Sequence, residues 1–251
     1  MENQLTEFTR TKSLFGHENF EKIQNAHVAV FGIGGVGGYV VEALVRSGIQ
    51  KIDIIDNDTV SLTNINRQII ATHSTIGKFK VDVMKDRILD INPNAHVNCF
   101  KCFYLPETQD LFDFTKYDYI IDAVDTVTAK LQLIVQAKNA GTKIISCMGT
   151  GNKLNPTLFE ICDISKTEVC PLARVMRQEC KKRKITDVKV LFSREKPINP
   201  AYNCDSEKKG NAFAPASCAF VPSVAGLMIA AEVIKDLTKC QRAFSNSSKS
   251  C

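Results

Sequence analysis

The sequence lacks a long uninterrupted apolar run. The longest candidate within its 251 residues is 218–234, which Pro222, Gly226 and Glu232 interrupt. We therefore expect a buried helix there instead of a membrane span, which needs about 20 consecutive apolar residues. The first 16 residues also lack the apolar core that a signal peptide carries. From both absences we expect a cytoplasmic protein.

The sequence also lacks a second CxxC pair. One pair joins Cys99 to Cys102 inside an apolar segment typical of a strand. A structural zinc site of four thiolates needs two such pairs, so we interpret both cysteines as core residues, with a metal knuckle as the alternative. In a chain of this length without a secretion signal, the ten cysteines indicate reduced thiols and not a disulfide framework.

The positive charge of the chain is concentrated in its last third. The formal net charge is +5, yet residues 1–170 carry 17 Lys and Arg against 20 Asp and Glu. Residues 171–209 carry 11 against 5. This basic excess indicates an anionic partner for the C-terminal part, and the alternative is a solvated helix face whose lysines serve solubility.

Strand-length apolar runs alternate with segments of helical periodicity over the first 150 residues. The predicted strands are 27–32, 51–56, 95–103, 118–124 and 143–148. The predicted helices between them are 36–47, 78–91 and 126–140. This alternation predicts an α/β fold with a doubly wound, mainly parallel sheet of Rossmann type. Ligands of such sheets bind at the carboxyl ends of the strands.

The pattern becomes less regular after Gly149. The remaining predicted elements are strands 158–163 and 188–193 and helices 170–184 and 223–237. Residues 195–217 are polar and punctuated by Pro and Gly, which predicts a mobile loop. Because the sequence has neither internal repeats nor a low-complexity linker, we expect one domain over 1–251, with a core (1–150) and a C-terminal elaboration (151–251).

A glycine-rich segment follows the first predicted strand and opens the first helix. Its glycines permit a tight turn, a close approach of backbone to phosphate, and close packing of helix on strand. They are Gly32, Gly34, Gly35 and Gly37. Asp56 ends the second strand, where a carboxylate accepts hydrogen bonds from ribose hydroxyls. Loop and acid together predict a nucleotide site but do not choose between NAD and ATP.

Further polar residues at successive strand ends make that choice. Asn64 and Arg67 follow the ribose acid, and Lys80 begins the next helix. A guanidinium and an ammonium suit the β and γ phosphates of a nucleotide that is cleaved. Asp125, after strand 118–124, is a hard oxygen ligand for Mg²⁺. Each residue alone has a structural alternative: Arg67 in a surface ion pair, Lys80 as a solvated helix start, and Asp125 as a helix N-cap. Their joint order on successive strand ends predicts ATP and Mg²⁺.

The motifs GIGGVG, IIDNDTV, NINRQ, GKFKV and DAVDT resemble those of the HesA/MoeB/ThiF superfamily, the adenylating relatives of ubiquitin-activating enzymes. The resemblance covers residues 10–150 and implies a Rossmann-like homodimer whose ATP-binding core adenylates a substrate carboxylate at the α-phosphate. It also implies which residues line ATP and Mg²⁺. These are Gly34, Asp56, Asn64, Arg67, Lys80 and Asp125. Arg67, Lys80 and Mg²⁺ would stabilise the charge on the departing pyrophosphate.

Two further positions can be compared with the superfamily pattern. Arg10 resembles the family's N-terminal arginine, which reaches the phosphates bound by the partner subunit. Thr126 stands where the family often has Asn after the magnesium aspartate. We therefore expect Arg10 to act in trans within a homodimer, and no nucleotide contact is carried over to Thr126.

The C-terminal part resembles the tRNA threonylcarbamoyladenosine dehydratases. The segments that carry this likeness are LARVMRQECKKRKITDVKVLFSREKP, NAFAPAS and FVPSVAGLMIAAEVIKDL. That family adenylates the threonyl carboxylate of the modified adenosine beside the anticodon, and an intramolecular attack then closes a ring and expels AMP. The resemblance implies a tRNA partner whose phosphates contact basic side chains. These are Arg174, Arg177, Lys181, Lys182, Arg183 and Lys184.

Two other functions compete with this hypothesis. The first is activation of the C-terminal glycine of a small sulfur-carrier protein, with Cys162, Cys170 or Cys180 as a later thiol and a cysteine desulfurase or sulfur acceptor as partner. Relatives with that function usually carry paired CxxC zinc motifs, which this chain lacks. The second is an NAD oxidoreductase or a nucleotide-sensing module. Against it, the four histidines fall outside the predicted strand ends that carry the site.

Overall fold

A seven-stranded sheet forms the centre of the structure. The computed structural model describes residues 5–202, 208–209, 212–213 and 215–239. The strands of the sheet are β1 (His27–Phe31), β2 (Lys51–Ile55), β3 (His96–Phe100), β4 (Tyr119–Asp122), β5 (Lys143–Cys147), β6 (Phe159–Asp163) and β7 (Lys189–Ser193). Their order is β3-β2-β1-β4-β5-β7-β6, and all neighbours pair in parallel except β6 and β7. A separate pair is formed by β8 (Lys208–Lys209) and β9 (Ala212–Phe213).

Helices cover both faces of this sheet. Within the described residues they are α1 (Thr9–Phe15), α2 (His17–Asn25), α3 (Gly37–Arg46), α4 (Lys80–Ile91), α5 (Val127–Ala140), α6 (Pro171–Lys182) and α7 (Phe220–Thr238). The core on one face joins α2, α3, α4 and α7, and the core on the other joins α5, α6 and aromatic rings between β3 and β4. On β1, Val28 and Val30 belong to the first core, and Ala29 and Phe31 to the second. Because both faces are covered, the strands are apolar throughout.

The strand order reverses at β1. Strand β2 pairs with β1 on one side and β4 pairs with it on the other, both in parallel. The connections that follow β1 and β4 therefore leave toward opposite sides, and a crevice opens between them at the carboxyl edge of the sheet. This is the edge at which the glycine loop, Asp56 and Asp125 follow their strands.

The predicted doubly wound, mainly parallel α/β fold is confirmed. The predicted elements differ from the observed ones by only a few residues at their ends, but helices α1 and α2, which precede β1, were not predicted. The predicted helix 223–237 begins earlier, at Phe220. Pro222 therefore lies in the first turn of α7, where a missing N–H removes no hydrogen bond of the helix. The two C-terminal strands join the same sheet as the first five.

The predicted mobile loop 195–217 lies partly outside the described residues. Where the structure describes it, the Ile198 N–H donates to Asn152 O at 2.9 Å. The Ala216 N–H donates to Asn152 Oδ1 at 2.7 Å. Both ends of the segment are thus tied to the loop that follows β5, and its mobility stays a prediction.

The described residues can be examined for membrane-spanning helices, disulfides and metal clusters. Within that part of the chain, none of the helices has the length and apolar character needed to cross a membrane. The described cysteines form no disulfide, and Cys99 on β3 is half-buried, with its thiol 3.6 Å from Val81 O. No group of three or more His, Cys, Asp or Glu side chains in the described ranges is arranged to hold a metal ion.

A fully buried ion pair joins α5 to the ends of β4 and β5. Lys130 Nζ lies 3.2 Å from both carboxylate oxygens of Asp122 and donates to Cys147 O at 2.6 Å. The Asp122 carboxylate also accepts from Ser146 Oγ at 2.5 Å and from the Val124 N–H at 3.2 Å. The two charged side chains are 0–1% exposed. Burial of two charges is tolerated here because each is paired and hydrogen-bonded.

We predict that Lys130→Met strongly destabilises the fold, because it leaves the Asp122 carboxylate buried without its counter-ion. Loss of one partner of a buried ion pair costs about 3–5 kcal/mol. The measurement is the free energy of unfolding from a denaturant titration. The control is Lys138→Met at the exposed end of the same helix, which should cost less than ~1 kcal/mol. Similar small losses in both variants would contradict the prediction.

Candidate active site

The loop between β1 and α3 contains two positions that require glycine. Gly32 has a φ of +90°, and a Cβ there would lie 2.7 Å from Ala123 O. A Cβ on Gly37 would lie 1.7 Å from Gly32 O. Around Gly34, by contrast, the nearest atom to such a Cβ is Gln68 Nε2 at 3.9 Å. The backbone at Gly34 is therefore open to a ligand, while the rest of the loop is fixed against β1 and the segment after β4.

Helix α3 begins directly after this loop. Its cap residue is Val36, and no side chain caps the helix. The first N–H groups of α3 therefore face the crevice without a side-chain cap, which favours an anion such as a phosphate. Sequence and structure agree on this point, since the glycines stand where the helix starts.

Asp56 follows β2 and contacts the glycine loop directly. Its Oδ2 accepts from the Ile33 N–H at 2.7 Å, and its Oδ1 accepts from the Asp58 N–H at 2.9 Å. The side chain is 9% exposed, and this burial raises the pKa of the Asp56 carboxyl in spite of the opposing charge of Lys80. Asp56 thus fixes the loop, and the second lone pair of each oxygen remains for a ligand hydroxyl.

Lys80 lies at the start of α4 and points to the same acids. Its Nζ is 2.7 Å from Asp58 Oδ2 and 3.8 Å from Asp56 Oδ2, and the residue is buried. The structure thus brings together the predicted Lys80 and Asp56 and adds Asp58, which the sequence prediction missed. The signal was present in the motif IIDNDTV, whose second acid follows the first at a spacing of two residues.

Two amide side chains are buried in the segment between Asp56 and α4. Asn64 Oδ1 accepts from the Ser61 N–H at 3.1 Å, so this predicted nucleotide residue stabilises a short helical turn. Gln68 is also buried, and its Oε1 has no hydrogen-bond partner among the described residues. A buried acceptor without a donor is costly. The Gln68 atom that faces Gly34 is the amide Nε2, which can donate to a ligand placed beside that glycine.

Arg67 is half-exposed and lies along the glycine loop. Its Nη1 donates to Thr63 O at 2.9 Å and to Asn66 Oδ1 at 2.8 Å. A Cβ on Gly35 would lie 3.4 Å from Arg67 Cγ, so the side chain packs beside the loop. In the described residues these contacts use a single nitrogen of the guanidinium, whose remaining N–H groups suit phosphate oxygens.

Asp125 and Arg10 are the two predicted site residues at the surface. Asp125 is exposed in the loop between β4 and α5, directly after the segment that packs on Gly32. The N-cap of α5 is Thr126, so Asp125 is not the cap residue that was its structural alternative. Arg10 is exposed on α1.

The six basic residues predicted to contact tRNA fall into three groups. Arg177 is held by Thr167, whose main-chain oxygen and Oγ1 accept from its Nη1 at 2.6 and 2.7 Å. Lys182 and Arg183 pair with Glu179. The remaining three have no partner within the described ranges. They are Arg174, Lys181 and Lys184, all exposed.

The basic residues also differ in their distance from the crevice. Helix α6 starts beside the loop after β5, where a Cβ on Gly149 would lie 3.8 Å from Cys170 Sγ. The helix ends at the opposite edge of the sheet, because β7 begins there and runs parallel to β5. A helix of 12 residues is about 18 Å long, so Lys181 and Lys184 lie at the end of α6 away from the carboxyl edge, and Arg174 lies near its start.

Fold and crevice together define a Rossmann-like nucleotide-binding protein. A match to the ThiF family covers residues 8–250 of the sequence. The chain belongs to the ThiF family. The resemblance that its motifs predicted is confirmed over nearly the full length.

The most informative relatives are dehydratases that act on a modified tRNA nucleoside, according to their names. The tRNA threonylcarbamoyladenosine dehydratase of Bacillus subtilis (strain 168) is 43% identical over 243 residues, which are 94% of this chain and 96% of the relative. The solved structure of the E. coli enzyme TcdA in complex with ATP matches with a TM-score of 0.84 at 31% identity. Its complex with AMP matches with a TM-score of 0.83 at 32% identity. Each covers 93% of this chain and 94% of that chain.

We predict that Arg67→Ala lowers kcat/KM for ATP about 100-fold, the usual effect of removing one donor that stabilises developing charge. Its contacts are local and half-exposed, so the free energy of unfolding should change by less than ~1 kcal/mol. Steady-state kinetics and a denaturant titration measure the two effects. Arg46→Ala on α3, an exposed arginine paired with Glu42, is the control. An Arg67→Ala variant that fails to fold would show that the arginine is structural.

Proposed function

We propose that the protein is an ATP-dependent tRNA threonylcarbamoyladenosine dehydratase, which converts the modified adenosine to its cyclic form. One observation carries this proposal: the likeness to dehydratases of that name extends over 94% of the chain, including the basic C-terminal part. A chain that shared only the glycine loop would match the nucleotide core alone. The TcdA structures with ATP and AMP support ATP as the nucleotide.

The proposed reaction follows from the chemistry of a carboxylate. A carboxylate is a poor electrophile, and attack of its oxygen on the α-phosphorus of ATP forms a mixed anhydride and expels pyrophosphate. An intramolecular attack on the activated carbonyl then closes the ring, and AMP leaves with the former carboxylate oxygen. The nucleoside loses one water in total. No side-chain nucleophile is needed for either step.

The described residues suit the parts of ATP in a definite way. The glycine loop and the start of α3 offer backbone N–H groups to phosphates, and Arg67 and Lys80 offer positive charge. Asp56 and Gln68 suit the ribose hydroxyls. Lys80 is already neutralised by Asp58 at 2.7 Å, so phosphates would compete with this acid for the ammonium. Asp125 would hold Mg²⁺, which when bound neutralises charge on the phosphates.

The assembly around this site is also part of the proposal. We propose a homodimer in which Arg10 of each chain serves the partner's site, and one domain made of the ATP-binding core 1–150 and the elaboration 151–251. The tRNA phosphates would contact Arg174, Lys181 and Lys184. A cytoplasmic location fits the reduced thiols. A cysteine desulfurase or sulfur acceptor as partner stays a prediction.

Burial weakens the alternative of sulfur-carrier activation. Relatives with that function often use a cysteine in a later thiol step, yet Cys170 and Cys180 are 2% and 1% exposed. Burial raises the pKa of the thiols of Cys162 and Cys180 above the ordinary cysteine value. Because the thiolate is the nucleophile, a raised pKa makes both thiols less reactive at neutral pH.

We predict that incubation with ATP, Mg²⁺ and tRNA bearing threonylcarbamoyladenosine releases AMP and lowers the mass of the modified nucleoside by one water. Mass spectrometry of the digested tRNA measures this loss. The same tRNA without the modification is the control and should release no AMP. An unchanged nucleoside mass would contradict the proposed function even if ATP binds. Carboxylate-dependent pyrophosphate exchange with a Gly-Gly-ended carrier protein would favour the alternative.

We predict that the pair Lys181→Ala and Lys184→Asn weakens tRNA binding without changing kcat. Asn is chosen at 184 because that residue has a φ of +56°, which Asn tolerates. If both lysines contact phosphates, the slope of log K against log salt should fall by about 1.8. Fluorescence titration at several salt concentrations measures the slope. The control pair, Lys22→Ala and Lys85→Ala, lies on the helices of the opposite face, and an equal effect there would contradict the assignment.

A further inference from the structure

Residues 215–222, which we call the strap, cross the carboxyl edge of the sheet from the loop after β5 to the glycine loop. At the first end, the Ala216 N–H donates to Asn152 Oδ1 and the Asn152 N–H donates to Ala216 O, both at 2.7 Å. At the other end, Pro222 packs on the glycine loop, since a Cβ on Gly35 would lie 3.3 Å from Pro222 Cβ. The strap therefore spans the crevice in which the nucleotide residues lie.

Asn66 connects the strap to Arg67. Its Nδ2 donates to Ser217 O at 3.0 Å, a contact between residues 151 positions apart in the chain. Its Oδ1 accepts from Arg67 Nη1 at 2.8 Å. The same Nη1 donates to Thr63 O, and the Arg67 stem lies against Gly35. The Asn66 side chain thus donates a hydrogen bond to the strap and accepts one from Arg67.

We propose that Asn66 is a positioning residue, which holds the Arg67 guanidinium beside the glycine loop and makes its position depend on the strap. An arginine side chain has many rotamers, and fixing one of them before the nucleotide arrives removes an ordering cost from binding. The inference rests on the proposed function in one respect: it assumes that Arg67 binds the phosphates of ATP. Asn66 itself acts through Arg67 and not on the nucleotide.

The chemistry of the amide makes the two bonds separable. Asparagine is both donor and acceptor, whereas an aspartate of the same shape only accepts. Asn66→Asp therefore keeps an acceptor for Arg67 but loses the bond to the strap and sets a carboxylate against Ser217 O. Asn66→Ala removes both bonds. Comparison of the two variants tells whether the strap contributes to the position of Arg67.

The test is a double-mutant cycle of Asn66→Ala with Arg67→Ala, measured on kcat/KM for ATP and on ATP binding by calorimetry. Loss of a hydrogen bond to a charged group should lower both quantities about tenfold in Asn66→Ala. In the Arg67→Ala background the same change should cost less than about twofold, since the residue through which Asn66 acts is absent. Asn66→Asp should lose about as much as Asn66→Ala.

The control is Asn139→Ala on the exposed end of α5, which should leave both quantities unchanged. Equal losses in both Arg67 backgrounds, no loss in Asn66→Ala, or full activity in Asn66→Asp would overturn the proposal. Because the cycle is also measured on ATP binding, it does not depend on tRNA. A wild-type protein that binds ATP but leaves the nucleoside mass unchanged contradicts the proposed function, whereas an additive cycle contradicts the role of Asn66.

Discussion

The buried ion pair between Asp122 and Lys130 is the interaction on which the crevice depends. Both charged side chains are fully buried. Because a buried charge is costly without its partners, the pair and the groups hydrogen-bonded to it are restricted to one geometry. Through Cys147 O the pair fixes the end of β5, and through the Val124 N–H it fixes the loop after β4. That loop packs on Gly32, where Ala123 O leaves no room for a Cβ. The position of the glycine loop thus follows from a charge pair that never contacts a ligand.

The backbone of the crevice is fixed by hydrogen bonds, whereas the ion pairs of its charged side chains can exchange partners. Asp56 binds the loop through the Ile33 N–H, and this contact needs no change when a nucleotide arrives. Lys80, by contrast, is shared between Asp56 and Asp58 at 3.8 and 2.7 Å. A phosphate that enters would draw the ammonium toward itself and leave Asp58, which is half-exposed, to water. The backbone would thus fix the place of a bound phosphate, and the ion pairs of Lys80 would exchange in response to its charge.

Much of this arrangement could be predicted from the sequence, because alternating apolar strands and helices bring the strand ends together at one edge. Asp56, Arg67 and Lys80 followed from that rule, without any knowledge of contacts. Lys130 could not be predicted, since in the sequence it is an ordinary helix residue and only tertiary packing buries it. The bond between Asn66 and Ser217 joins residues too distant for any local pattern. Charge placement indicated a basic segment but not that Arg177 would turn inward to Thr167.

The separation between the basic cluster and the crevice has a kinetic meaning. On the proposed function, contacts of Lys181 and Lys184 with tRNA phosphates would be made at the far end of α6. They would be the same before and during the reaction and would stabilise ground and transition states equally, so they would lower KM without raising kcat. Under the same proposal, Arg67 and Lys80 would meet charge that grows as pyrophosphate departs, and their effect would fall on the chemical step. Substrate capture and the chemical step would then depend on different parts of the chain, and the strap reaches from the C-terminal part to Arg67 through Asn66.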